Sequence, residues 1–179
     1  MIIRSATTAD APRLLEIYSW YVDNTAITYE CVTPALNEFT DRVSDTLKRF
    51  PYLVLEENGI ILGYAYAGLF HNRAAYSHCC ELSIYLDHNA RRQGYGRKLY
   101  EALEARLKDM GFLNFYACIG DPIREDEYLT RNSEQFHQHM GFTKIGTFHR
   151  CGRKFDRWYN MIYMEKIIEA DLLCPAGKK

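Results

Sequence analysis

Three stretches of this sequence predict an α/β fold built on a mixed, mainly antiparallel central sheet flanked by helices. The first, Glu81 to Met110, reads as strand, glycine loop and helix. Leu82, Ile84 and Leu86 alternate with Ser83, Tyr85 and Asp87, the period of a strand. Asn89 to Gly96 is polar and basic. From Arg97 onward Leu99, Tyr100, Leu103 and Leu107 recur at helical spacing until Gly111 stops the run. The second stretch, Tyr52 to Leu69, holds two apolar runs around Asn58-Gly59, a pair suited to a two-residue hairpin turn. The third is a closing antiparallel pair, Thr143 to Arg150 and Trp158 to Lys166, joined by Cys151 to Arg157.

The remaining elements follow in chain order. Met1 to Arg4 is a short strand. Thr7 and Asp10 have the spacing of a capping box, and Leu14, Ile17, Tyr18, Tyr21 and Val22 mark one face of the helix behind it. Asn24 to Pro34 is a loop. A second helix, Asn37 to Arg49, turns Phe39, Val43 and Leu47 inward. Gly63, Ala65, Ala67 and Gly68 thin the second hairpin strand, so a close neighbour is expected there. Leu113 to Ile119 is a strand, Gly120 to Thr130 is charged and irregular, and Ser133 to Met140 is a short helix ended by Gly141.

The chain has 179 residues and a net charge of −1, with 47% hydrophobic and 25% charged residues. That suits one domain with a real core, residues 1–169, followed by a frayed tail, 170–179. A near-neutral balance argues against nucleic acid as a partner, which draws on a basic excess. No stretch is long and apolar enough to span a membrane, and the N-terminus lacks a signal segment. The six cysteines include no C-x-x-C pair, and the histidines show no metal spacing. Reduced thiols in a cytoplasmic protein without a metal are expected.

The basic loop sits at a helix N-terminus. Free backbone N–H groups and the helix dipole favour an anion there. Gly94 and Gly96 let a phosphate approach the backbone, and Arg91, Arg92, Arg97 and Lys98 add charge. This is a pyrophosphate site on physical grounds, but Gly-x-Gly alone does not name the ligand; a surface turn with solvated arginines would read the same. The third glycine of a dinucleotide loop is absent, since Leu99 holds its place, and so is the Gly-Lys-Ser/Thr of a P-loop.

R-R-Q-G-Y-G before a helix, after a strand carrying a glutamate, resembles the acyl-CoA loop of the GNAT superfamily of N-acetyltransferases. The order of elements is also that of the GNAT fold. IIRSATTADAPRLLEIY, YLVLEENGIILGYAYAGLF, R-x-A-Y-x-x-x-x-E from Arg73, F-H-x-x-x-G-F from Phe136 and G-R-K-F-D-R-W from Gly152 are similar to the phosphinothricin and methionine sulfoximine acetyltransferase branch. The resemblance covers almost the whole chain. It implies a sheet splayed at an acetyl-CoA site, acetyl transfer from that co-substrate to the α-amino group of a small amino-acid-like acceptor, and a homodimer.

The resemblance also implies roles for residues. Glu81 falls on the catalytic glutamate, which removes the ammonium proton so that the amine can attack; a glutamate at a strand start is otherwise ordinarily just solvated. His137 falls on a histidine facing the substrate, for binding or proton transfer. Ile84, Tyr85 and Leu86 would offer backbone groups to the pantetheine arm, and Arg91, Arg92, Gln93, Gly94, Tyr95, Gly96, Arg97 and Lys98 would hold the pyrophosphate. The family's asparagine seven residues before the histidine is Thr130 here; Asn132 and Ser133 are candidates to replace it. Arg73 would pair with the acceptor's anionic group, next to Tyr76, and Tyr29 would form an aromatic wall. Lys154 and Trp158 match G-x-K-x-x-x-W without a separable role. The acidic segment from Asp121 to Arg131 is longer than the family's loop and is expected to fold over the cofactor channel.

Three other readings stay open: an acetyltransferase for a protein N-terminus, one for a polyamine, and a non-catalytic acyl-CoA-binding module. Glu81 separates enzyme from sensor, since a sensor needs the loop but no base. Arg73 argues against a polyamine, whose site would be acidic.

Overall fold

The computed structural model describes residues 1–90 and 93–168. The tail expected to fray and the pair Arg91 and Arg92 lie outside the described residues. The chain runs β1 (Ile2–Ser5), α1 (Ala11–Asn24), α2 (Leu36–Leu47), β2 (Tyr52–Glu57), β3 (Ile60–Leu69), β4 (Cys79–Leu86), α3 (Tyr95–Asp109), β5 (Asn114–Asp121), α4 (Asn132–His139), β6 (Thr143–Lys154) and β7 (Arg157–Ile167). The seven strands form one sheet in the order β1-β2-β3-β4-β5-β7-β6. Every neighbouring pair is antiparallel except β4 with β5. Among the described residues no helix is long and apolar enough to cross a membrane.

Each face of the sheet carries a separate core, because side chains alternate across a strand. Cys80 and Leu82 of β4, with Phe115, Ala117 and Ile119 of β5 and Ile162 and Met164 of β7, pack against Leu99, Tyr100, Leu103 and Leu107 of α3. The opposite face carries Tyr52, Val54 and Tyr64, covered by α1 through Leu14, Ile17, Tyr18, Tyr21 and Val22 and by α2 through Phe39 and Val43. Those are the helix faces expected from the apolar spacing. The α1 face is anchored at its start: Asp10 Oδ2 accepts the Thr7 N–H at 2.7 Å, while both carboxylate oxygens receive Arg4 at 2.9 Å.

Several boundaries shift by one or two residues, β5 running on to Asp121 among them, and two differences bear on the site. Cys151 to Arg157 is not a loop. β6 continues to Lys154 and β7 begins at Arg157, with Phe155 and Asp156 turning at φ 50° and 58°. The polar and basic character of the segment hid the strand; a bulge between Phe148 and Gly152, with Arg150 at φ 49°, breaks its period of two. The helix after the basic loop begins at Tyr95, ahead of the first leucine, because Gly94 at φ 75° makes the turn and the Tyr95 ring is buried. The thin strand β3 has the close neighbour expected of it: a Cβ at Gly63 would run into Leu86.

Candidate active site

The site originates in a pairing that stops early. β4 and β5 are joined only at Cys79, Cys80 and Glu81, opposite Asn114, Phe115 and Tyr116. Beyond Glu81 the two strands diverge, and the β4 edge that faces β5 has no strand partner. The gap is a narrow cleft lined by Leu82 to Tyr85 on one side and Ala117 to Gly120 on the other, closed by Ile27, Leu129, Ser133 and His137. Unpaired backbone N–H and C=O groups on such an edge are ready partners for an extended amide-bearing ligand. Ile84 and Tyr85 lie on this edge and line the cleft. Leu86 is differently employed: its carbonyl accepts the Tyr21 hydroxyl at 2.6 Å, and its side chain packs against Gly63 and Gly96.

At one end of the cleft lies the glycine loop. The first N–H groups of α3 have no helical partner, since the earliest bond of the helix is Lys98 N–H to the Gly94 carbonyl at 3.2 Å. Gln93, Gly94, Arg97 and Lys98 are exposed around them. The two glycines do different work. Gly94 has a left-handed φ of 75°, and a Cβ there would meet nothing within 4 Å. Gly96 faces inward, where a Cβ would come 3.2 Å from Phe136 Cε2. Tyr95 ties the loop to the sheet by donating to Glu57 Oε2 at 2.9 Å.

Glu81 sits where the strands part. It is half-buried, and its carboxylate accepts the Tyr163 hydroxyl at 3.3 Å. Burial pushes its pKa above the ordinary carboxylate range; the Tyr163 hydrogen bond and nearby His71 pull the other way without cancelling it. Cys118, exposed on the same face, lines the cleft; desolvation there and the Glu81 charge push its thiol up to about 12.

The residues expected to meet the acceptor are spread over two places. Arg73 is exposed at the start of a short helical turn, Ala74–Tyr76, in the β3–β4 connection. Its guanidinium has no ion pair or hydrogen bond to another described residue. Tyr76 packs edge-on to Phe70 at 5.9 Å, and Phe70 stacks on Tyr116, the β5 partner of Glu81, at 4.0 Å. Tyr29 lies further along: its ring stacks on Tyr159, covers Gly152, and its hydroxyl bonds the Asn160 carbonyl.

His137 is buried on the other face. Its Nδ1 donates to the Ser133 carbonyl at 2.7 Å, so Nε2 accepts the Tyr100 hydroxyl at 2.8 Å. Burial lowers its pKa to about 4, leaving a neutral imidazole. Of the three candidates for the missing asparagine, Ser133 lines the cleft, while Thr130 and Asn132 are exposed. The acidic loop is tied down by Asp126, which accepts the Tyr128 and Leu129 N–H groups at 2.9 Å and pairs with Arg157 at 3.0 Å; this delivers Leu129 to the cleft wall.

Residues 3–163 match the acetyltransferase (GNAT) domain. The chain belongs to the GNAT acetyltransferase family. Phosphinothricin acetyltransferase of Sinorhizobium meliloti, solved as a complex with AcCoA, is 34% identical and superposes with a TM-score of 0.84 over 93% of this chain and 88% of that one. Ribosomal-protein-alanine N-acetyltransferase from Brucella melitensis is 33% identical, with a TM-score of 0.85 over 93% and 99% of the two chains. L-methionine sulfoximine/L-methionine sulfone acetyltransferase of Salmonella typhimurium is 30% identical over 92% of this chain and 93% of its own. The parted strands β4 and β5 are thus part of a GNAT acetyltransferase domain.

Sequence reasoning missed Tyr163, Cys118 and Tyr21 in this GNAT site. Tyr163 and Cys118 alternate correctly on their strands, and Tyr21 lies on the apolar face of α1. What brings them here is the register between β5 and β7 and the packing of α1 on β4, which one chain read alone does not give. Among the described residues no group of three or more His, Cys, Asp or Glu side chains could hold a metal ion.

Proposed function

We propose that this chain transfers the acetyl group of acetyl-CoA to the α-amino group of a small amino-acid-like acceptor, with Glu81 as general base. The observation that carries the reading is the half-buried Glu81 carboxylate, raised in pKa, where β4 and β5 part. An ammonium has no lone pair. A carboxylate with a raised pKa removes its proton more effectively than an exposed one near pH 7. The amine nitrogen then forms the new C–N bond at the thioester carbonyl, the C–S bond breaks, and the sulfur leaves as thiolate. The high thiol pKa of Cys118 supports this direct route over an acetylated cysteine.

Acetyl-CoA fits the remaining geometry. The free N–H groups at the start of α3, with Gly94, Arg97 and Lys98, hold the pyrophosphate; the unpaired edge at Ile84 and Tyr85 receives the pantetheine amides, and Ser133 faces them from α4. A backbone N–H on that edge polarises the carbonyl. Arg73 binds the acceptor's carboxylate or phosphinate, beside Tyr76. His137 builds the cleft wall rather than moving the proton, since both its nitrogens are engaged. Tyr29 is a packing residue of the loop over β6 and β7.

The chain acts as a soluble cytoplasmic homodimer in this reading. The dimer is supported by Ile145, Phe148 and Trp158, each about half exposed on the β6–β7 hairpin. A second acceptor class, the N-terminal alanine of a protein, is favoured by the likeness to the Brucella enzyme. One assay decides. CoA release is followed over phosphinothricin, methionine sulfoximine, methionine sulfone, a polyamine and an alanine-led peptide. Saturable turnover of the amino-acid analogues is expected; turnover of the peptide alone would move the acceptor to a protein, and no turnover with any amine would reduce the chain to a binding module.

A further inference from the structure

We infer that Tyr163 of β7 is the positioning residue for the base, fixing the Glu81 carboxylate in the orientation that faces the acceptor. The inference rests on the proposed role of Glu81.

Three strands bring the pair together. Glu81 of β4 lies opposite Tyr116 of β5, and Cys118, two residues on, lies opposite Tyr163 of β7. Alternation puts all four side chains on one face. The Tyr163 hydroxyl donates to Glu81 Oε2 at 3.3 Å and is the only side-chain donor to that carboxylate among the described residues. Its ring meets Phe70 edge-on at 6.4 Å and Phe148 at 6.1 Å, and Cys118 is the other hydrogen-bonding neighbour of its hydroxyl.

The groups around Glu81 make this single bond decisive. Tyr66 faces it from β3, His71 from the β3–β4 connection, Cys118 from β5, and Tyr100 interacts from across the sheet. None of these donates to the carboxylate. Tyr163 itself is pushed up to about 12 by burial and by the Glu81 charge. It therefore stays protonated across the working range and is always a donor. For the same reason it is a poor acid for the departing thiolate, which separates positioning from proton delivery. A hydrogen bond to the ionised carboxylate favours that form. Tyr163 thus restrains the rise that burial imposes on Glu81, and keeps the base ionised where it must act.

Tyr163→Phe keeps the ring and both aromatic contacts, so the fold is retained. Two readouts are taken: the pH profile of kcat/KM for the acceptor, and the titration of the Glu81 carboxyl by carbon NMR, assigned by its loss in Glu81→Gln. We expect a loss of about 3- to 10-fold at neutral pH, the worth of one hydrogen bond. The acidic limb of the profile and the carboxyl midpoint should both move to higher pH. A midpoint that does not move overturns the inference, whatever the rate does. A midpoint that rises while the acidic limb stays in place leaves the Tyr163 bond standing and defeats Glu81 as the base.

Discussion

Glu81 and His137 stand on opposite faces of the central sheet. On β4, Cys80 and Leu82 pack toward α3, whereas Tyr85 packs edge-on to Tyr18 and Tyr21 of α1 at 5.0 and 5.3 Å. Glu81 shares the parity of Tyr85 and so the α1 side. His137 bonds Tyr100 of α3 and lies on the other. The two groups reach the cleft from different directions. They do not form a base–orienter pair of the kind found in nucleophilic triads.

His137 should therefore show itself in stability rather than in the acidic limb of the rate. Its folded pKa, about 4, lies below the ordinary value of 6.5. As pH falls, the unfolded chain takes up the proton first, so stability is fully present above pH 6.5 and is lost from there toward pH 4. The loss is of order 3 kcal/mol at most. Urea unfolding at pH 7 and pH 4.5 measures it as the difference between the parent and His137→Gln, in which the carboxyls that titrate in this window, Glu81 and Glu127 among them, cancel. His137→Gln should flatten that slope; an unchanged slope would show that the imidazole is not held neutral.

Gly94 and Gly59 form a matched pair for testing the loop. Both are left-handed, at φ 75° and 79°, and both have open space where a Cβ would stand. Each Gly→Val exchange should cost about 1–3 kcal/mol in backbone strain. Only Gly94→Val should abolish acetyl-CoA binding, measured by calorimetry on folded protein. Equal binding by the two variants would remove the loop from the cofactor site.

Arg73 tests the acceptor side. Arg73→Ala should raise the acceptor KM at least tenfold, the loss of one charge-assisted pair, and leave the KM of acetyl-CoA within about twofold. An exposed guanidinium without a partner among the described residues adds little to stability, so Tm should shift by less than about 1 °C. A change confined to the acetyl-CoA KM would place Arg73 at the other substrate.

The elements were legible in the sequence because their signals are local. The leucines of α3, the Asn58-Gly59 turn and the apolar face of α1 each report on a short span. The same locality explains what was not legible. The bulge at Phe148/Gly152 spoils the alternation that would have revealed β6 running on to Lys154. Gly96 gives no sign in the sequence of the packing it also serves, since only the fold brings Phe136 against it. Tyr163 carries no motif, and only the β5–β7 register puts its hydroxyl beside Glu81.

The central claim is that Glu81 is the base for direct transfer. Glu81→Gln keeps the size and removes the basicity, and CoA release across a pH series is the direct measurement. Turnover should fall by about 10²–10⁴ at pH 7, with acetyl-CoA binding retained, and the deficit should shrink as pH rises and free amine becomes abundant. The same variant should be more stable than the parent at neutral pH. A carboxyl raised by burial favours folding less once it ionises, so that advantage appears as pH climbs through the ordinary carboxylate range and vanishes below it. Near-parental turnover at pH 7 by a folded Glu81→Gln enzyme, or a deficit that does not change with pH, would contradict the account.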